Sequence, residues 1–464
     1  MFKILLIKEI QHYLYGLRFH VSFAMVMLTF VIGTLSFVPS FRQANENHLR
    51  YATEQHDALE RNSKNATVAA VSLSTFALSP KGNAIISDCS GQHLPDKIVY
   101  SAFNVFEFKV SHNNLNPLMK TGRELNWAFI VSVVLSFVTL LFAYDAISGE
   151  KEDRTISLMF SNAVPRGVVL LSKLSGIVLV VMSMALAGII ASLLILVFSS
   201  CVQLSGVFLA EVGAFLGITF FLITLMAVCG LLASVLSSSS NISLLISLCV
   251  WLLFVVVVPN TAVFWANTVF PIPHADEVQM AIRQGRKSLN DNAPQGSWSS
   301  NDGNPFWDRH KLRADLQTKL LANEKQHRDA YYALMFSQFD NTRRITLFSP
   351  IAQFDYMNEA ILGGGYLRFR KNWDDLHLFQ SGFFNWFRDL DAKDEKSPHW
   401  FNPYESLSTT RQEVEVSQIP VYTEQKAGWG ERFSAIVLYL SVMLIYTTVL
   451  FGVVVYRFQH YDVR

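Results

Sequence analysis

Charge is scarce in this 464-residue sequence: Asp, Glu, Lys and Arg fill 16% of positions, against about 25% in ordinary soluble domains. Cysteine is scarcer, at four residues, too few for a disulfide scaffold. Motifs that carry chemistry are missing too. There is no Gly-x-x-x-x-Gly-Lys-[Ser/Thr] loop, so the chain lacks the usual cradle for nucleotide phosphates. No Gly-x-Ser-x-Gly nucleophile turn and no His-Glu-x-x-His zinc helix occurs. His274, His310, His377 and His399 are scattered without ligand spacing. A formal net charge of +1 gives no electrostatic footprint for nucleic acid.

What the chain has is apolar sequence. Apolar residues reach 51%, with 36 phenylalanines, and they are gathered into runs. A helix needs roughly 20 mostly apolar residues to cross the hydrocarbon layer. Six runs meet that length: residues 21–39, 125–144, 174–199, 210–236, 242–264 and 433–456. None carries a charge at its centre, where it would be most costly. Glu124, Asp145, Lys173 and Glu211 fall near run ends and read as interfacial, so buried charge pairs of the proton-relay kind are not expected. Cys229 and Cys249 read as small buried hydrophobes. The first run exceeds the 7–15 residue core of a secretory signal and no small-residue cleavage site follows it, so it reads as a span.

Lysine and arginine in short loops set the direction of such spans. Lys3 and Lys8 precede the first span; Lys151, Arg154, Arg166 and Lys173 lie between the second and third; Arg457 and Arg464 follow the sixth. The opposite short loop, 201–209, has no basic residue. Both termini are therefore expected in the cytoplasm, and two long polar segments, 40–124 and 265–432, outside it. Cys89 and Cys201 would then share the outer side, where a disulfide between them stays open. Residues 305–339 read as a helix, with Leu312, Leu316 and Leu320 at i+4 spacing and no internal Gly or Pro. Phe348-Ser349-Pro350 and Gly363-Gly364-Gly365 mark breaks. For Phe379, Phe383, Phe384, Trp386 and Phe387 two readings stand: a patch on the membrane surface, or the core of the outer domain. Residues 2–17 are amphipathic, with Phe2, Leu6, Ile10, Tyr13, Leu14 and Leu17 on one side, as suits a helix lying in the interface plane (residues 1–20).

The most informative stretch is the loop 145–173. A charged turn, Gly149-Glu150-Lys151-Glu152-Asp153-Arg154, leads into a short helix from Thr155, which ends at Pro165. Ile156, Met159 and Phe160 share a face of that helix. An apolar face beside a membrane either packs back on the bilayer or seeks a partner.

This loop resembles that of ABC-2 type transporter permeases. Glu150-Lys151-Glu152 matches the family's acidic-basic-acidic run, Thr155 through Leu158 its short helix, Pro165-Arg166 its turn, and Lys173 the lysine opening the next span. Glycine is common in the family where this chain has Arg154. The resemblance implies an all-α polytopic membrane protein: six spans, an N-terminal interfacial elbow helix and a mainly α extracytoplasmic domain, here of a subgroup where that domain is large. It implies a coupling loop in which Gly149, Glu150, Lys151, Glu152, Arg154, Thr155, Ile156, Met159 and Phe160 dock onto a separate cytoplasmic ATPase. ATP and magnesium would be bound by that partner, with no cofactor in this chain. A second permease, identical or related, and a periplasmic protein are the other expected partners, in a bacterial inner membrane. An exporter is the first functional expectation. The alternative is an ABC-type complex that transmits ATP-driven motion to the outer domain without moving a substrate. A membrane-anchored enzyme would need a convergent polar cluster that the sequence does not display.

Overall fold

The computed structural model describes residues 1–88, 94–95, 97–109, 125–155, 164–293, 306–397, 399 and 409–460. Six helices are long and apolar enough to cross a membrane. The first, α2 (Leu17–Ser63), is 47 residues long, about 70 Å at helical rise. It therefore runs well past its apolar half, and Pro39 lies within it. Before it comes α1 (Phe2–Tyr15), separated only by Gly16 in an extended conformation. The second span is α4 (residues 127–143), with a wide π-turn at Ile130–Leu135. A short helix, α5 (Ser148–Glu152), follows it. The remaining spans are α6 (Arg166–Phe198), α7 (Gly206–Leu236), α8 (residues 240–269, with a second π-turn at Leu253–Val257) and α13 (Trp429–Gln459).

Between lipid-embedded helices there is no hydrophobic driving force, so small residues and buried hydroxyls must hold them together. The contact of α2 with α6 is built that way. Gly188 leaves the space that the Phe30 ring fills, and Gly33 lies against the Leu125 carbonyl. Next to them, fully buried Thr34 and Ser192 share a hydrogen bond, and the Trp127 indole donates to Ser192 Oγ at 2.7 Å. Cys229 is buried as expected, but Cys249 is exposed on α8, because only the Ser243 and Ser247 side of that helix packs inward. Cys89 lies outside the described residues.

A second core stands beyond the bundle. It joins α3 (Ala66–Val71), a three-stranded antiparallel sheet, α10 (Phe306–Ile345) and α12 (Gly365–Asp391). The strands are β1 (Ser74–Ala77), β2 (Lys97–Tyr100) and β3 (Val105–Lys109), in the order β1-β2-β3. Ser74 pairs with Tyr100 and Lys97 with Lys109. The aromatic stretch of α12 is core, not membrane surface: Phe383 and Phe387 are buried among Tyr100, Phe369 and Trp373, and Phe379 and Phe384 pack at the edge. The expected helix over 305–339 is the 40-residue α10; Asn304 and Pro305 lie outside the described residues. α9 (Ala275–Asp291) pairs with α10, where Asn323 reaches the Ile282 carbonyl.

One part of the second polar segment returns to the bundle. α11 (Pro350–Ile361) is buried along nearly its whole length, with Ile351, Phe354, Met357 and Ile361 in the same core as the spans. It wedges between α7 and α13. Gly363 and Gly365, both in the left-handed region, turn the chain from α11 into α12. Side chains there would run into Arg432 and Glu359.

Gly188→Val drives a branched side chain into the Phe30 ring. It should lower stability by about 2 kcal/mol, a typical overpacking cost, read as a lower thermal unfolding midpoint in detergent. Gly213→Ala, which meets open space inside a helix, should leave the midpoint unchanged or raise it slightly.

Candidate functional site: a charged clasp at one end of the bundle

Apolar spacing along α1 brings Leu5, Leu6, Ile10 and Tyr13 toward the bundle, and Glu9 comes with them. The helix lies against α6 where Gly176 leaves room beside Glu9, and Tyr13 packs edge-on to Phe142. Phe2, Leu14 and Leu17, also on the apolar side of residues 2–17, are not covered by the bundle. Glu9 sits there to meet Lys173, which is only 2% exposed. Lys173 Nζ donates to Glu9 Oε1 at 3.3 Å and to Glu150 Oε1 at 2.8 Å. A buried ammonium is tolerated where carboxylates compensate it. Lys173 is therefore a buried tie between α1, α5 and α6, not an interfacial charge.

Its neighbours in the acidic-basic-acidic run bind the next turn of the chain. Lys151 Nζ donates to the carbonyls of Val235 at 2.6 Å and Ser237 at 3.0 Å. These are orphan acceptors at the negative end of α7. The Glu152 carboxylate accepts from Ser240 N at 3.1 Å and Ser240 Oγ at 2.7 Å. That places an anion on the positive end of α8. Ser234 Oγ accepts from the N–H groups of Ile147 and Ser148. Asp145 is paired with Arg18 at the start of α2, which also lies over the Tyr144 ring. Three consecutive residues thus fasten α5 to α1 and α6, to the end of α7 and to the start of α8.

Glu152, Asp153, Arg154 and Thr155 form the exposed rim of this clasp. Arg154 has φ 57°, a left-handed conformation that glycine takes without strain. Gly149 lies against Asp145 and Ser240. Ile156, Met159 and Phe160 lie outside the described residues, as does Glu124. Sequence reading missed Glu9, Ser234 and Ser240 as clasp residues. Glu9 had left a signal: an acid in the apolar stripe of an amphipathic helix. The hydroxyls had left none.

A second polar cluster joins the other end of the bundle to the outlying core. Glu211, 5% exposed, accepts from Arg432 Nη1 at 2.9 Å and from Asn83 Nδ2 at 2.9 Å. Lys173 and Glu211, expected as interfacial charges, are thus each in a buried ion pair at a span end. Lys81 Nζ donates to the Gly363 carbonyl at 2.8 Å. Burial, then nearby Arg368, pulls the Lys81 pKa down to about 8 from 10.5. Arg368 holds Glu424 through two 2.6 Å bonds.

Lys173→Met would leave the buried Glu9 carboxylate and the half-buried Glu150 carboxylate uncompensated. A stability loss of about 3–5 kcal/mol is expected, measured by denaturant unfolding in detergent, and adding Glu9→Gln should recover part of it. Lys81 predicts a pH effect. Between about pH 8 and 10.5 the unfolded chain holds a proton that the folded chain has shed, so this group's contribution to stability rises with pH. In a pH series of unfolding midpoints, that rise should appear in the wild type and be missing from Lys81→Met.

Residues 4–463 match the family model described as ABC-2 family transporter protein. No curated protein matches the chain.

Proposed function

Because the chain belongs to the ABC-2 transporter family, we propose that it is the permease of an ATP-driven exporter whose ATPase is a separate cytoplasmic chain. The observation that carries this reading is the clasp. A push on its exposed rim reaches α1, α6, α7 and α8 through short charged contacts rather than through a loose loop. Such a joint suits a surface where another subunit delivers work. The ATPase, with its ATP and magnesium, docks on the rim Glu152–Thr155 and the residues that follow to 162. Gly149, Glu150 and Lys151 stand behind that surface and transmit. Both termini and the clasp lie on the cytoplasmic side of a bacterial inner membrane, the second core lies outside, and a second permease completes the pathway.

A second reading keeps the same drive but moves no substrate. It is favoured by α11, which is packed between α7 and α13 and joined through the triple-glycine turn to α12 of the outlying core. Movement of the spans would carry that core with it.

The docking surface is tested by Asp153→Lys with Arg154→Glu, which reverses the charge at two exposed rim positions and leaves Glu9, Lys173 and Ser240 untouched. Co-purification with its ABC ATPase should fall about tenfold or more, equal to ~1.4 kcal/mol, with an unchanged unfolding midpoint. Full co-purification of the double variant would refute docking on this rim.

A further inference from the structure

Wide π-turns interrupt two spans, at Ile130–Leu135 in α4 and Leu253–Val257 in α8. Such turns free backbone groups inside a helix and recur at functional sites. The one in α8 has a visible cause. The Val258 N–H bonds to the Leu253 carbonyl, five residues back, and so is lost to Phe254. The next donor along the helix would come from position 259, which is proline and has no N–H. The Phe254 carbonyl is left without a helical donor, which hydrocarbon surroundings penalise heavily.

Ser349 supplies the missing bond. Its Oγ donates to the Phe254 carbonyl at 2.9 Å, and the residue is fully buried. The same oxygen accepts from Ala352 N at 3.3 Å and so caps the wedge helix α11. One hydroxyl thereby joins the bend of a span to the start of the wedge. A turn earlier in α8, the Trp251 indole donates to the Val133 carbonyl at 3.3 Å and to Ser136 Oγ at 3.1 Å. Those acceptors lie in, and just after, the π-turn of α4. The two interrupted spans and the wedge are hydrogen-bonded in series at their irregular points.

We propose that Ser349 is a latch for the bend in α8: it holds the carbonyl that Pro259 strands, so the position of α11 sets the angle of the span. Withdrawal of α11 breaks the latch and lets the segment around Leu253–Val257 re-pair. This rests on backbone chemistry and not on the identity of any partner, so it stands or falls separately from ATPase docking.

The test is a double-mutant cycle read by amide hydrogen exchange on the full chain in lipid nanodiscs. Ser349→Ala should raise exchange across residues 255–262 about tenfold, the effect of one lost hydrogen bond. Pro259→Ala restores an N–H at position 259 and lets the helix satisfy Phe254 itself. In that background Ser349→Ala should change exchange by less than about twofold, since the two sites act on one carbonyl. Equal effects of Ser349→Ala in both backgrounds, or none in the wild type, would overturn the latch. Both substitutions are small, and a retained unfolding midpoint for Pro259→Ala alone shows that the bundle is intact.

Discussion

The contact on which the rest depends is the buried ammonium of Lys173 between Glu9 and Glu150. It fixes α1 onto α6 and holds the charged turn in place. Only with that turn held can Lys151 and Glu152 reach the ends of α7 and α8. The arrangement uses charge where lipid-embedded helices have little else to bind them. Each ion is compensated by an opposite charge or by helix-end partial charges, so the cost of burying it is met locally. The product is a stiff corner where four helices meet a short exposed rim.

The opposite end is organised on the same principle with different parts. Glu211, Arg432 and Asn83 join α7 and α13 to the segment between β1 and β2 of the second core. Lys81 and the Gly363 turn seat α11 beside them. The spans are thus tied at both ends by polar joints and packed between them by small residues and hydroxyls. A body built this way moves as tilted helices about its joints. The interrupted helices α4 and α8 mark where such tilting is least costly, because their backbone pairing is already broken.

Much of this was legible beforehand. Spans announce themselves because hydrocarbon demands about 20 apolar residues in a row, and all six runs fall in helices long enough to cross. The charged loop was singled out by its residues, yet its inward role was hidden. Nothing in Glu150-Lys151-Glu152 tells which carboxylate meets Lys173, since that depends on α1 folding back across α6. The small sheet was missed because its strands have only four or five residues and lie in a mixed polar segment. α11 carried a readable signal in Ile351, Phe354, Met357 and Ile361, a helical stripe after Ser-Pro. It was obscured by buried polar neighbours, Gln353, Asn358 and Glu359, which belong at a junction rather than on a soluble surface. The aromatic run of α12 left two readings open, because rings serve a membrane interface and a protein core equally well. Only contact with Tyr100 and Trp373 decides between them.

The clasp has a purpose only if it faces the compartment that holds ATP, with the second core on the far side of the membrane. A membrane-impermeant maleimide applied to Asp153→Cys and to Val421→Cys, each in a cysteine-free background, tests this directly in vesicles of known orientation. The account predicts labelling of position 153 only in inside-out vesicles and of position 421 only in right-side-out vesicles. Labelling of position 153 from the outer face would contradict it.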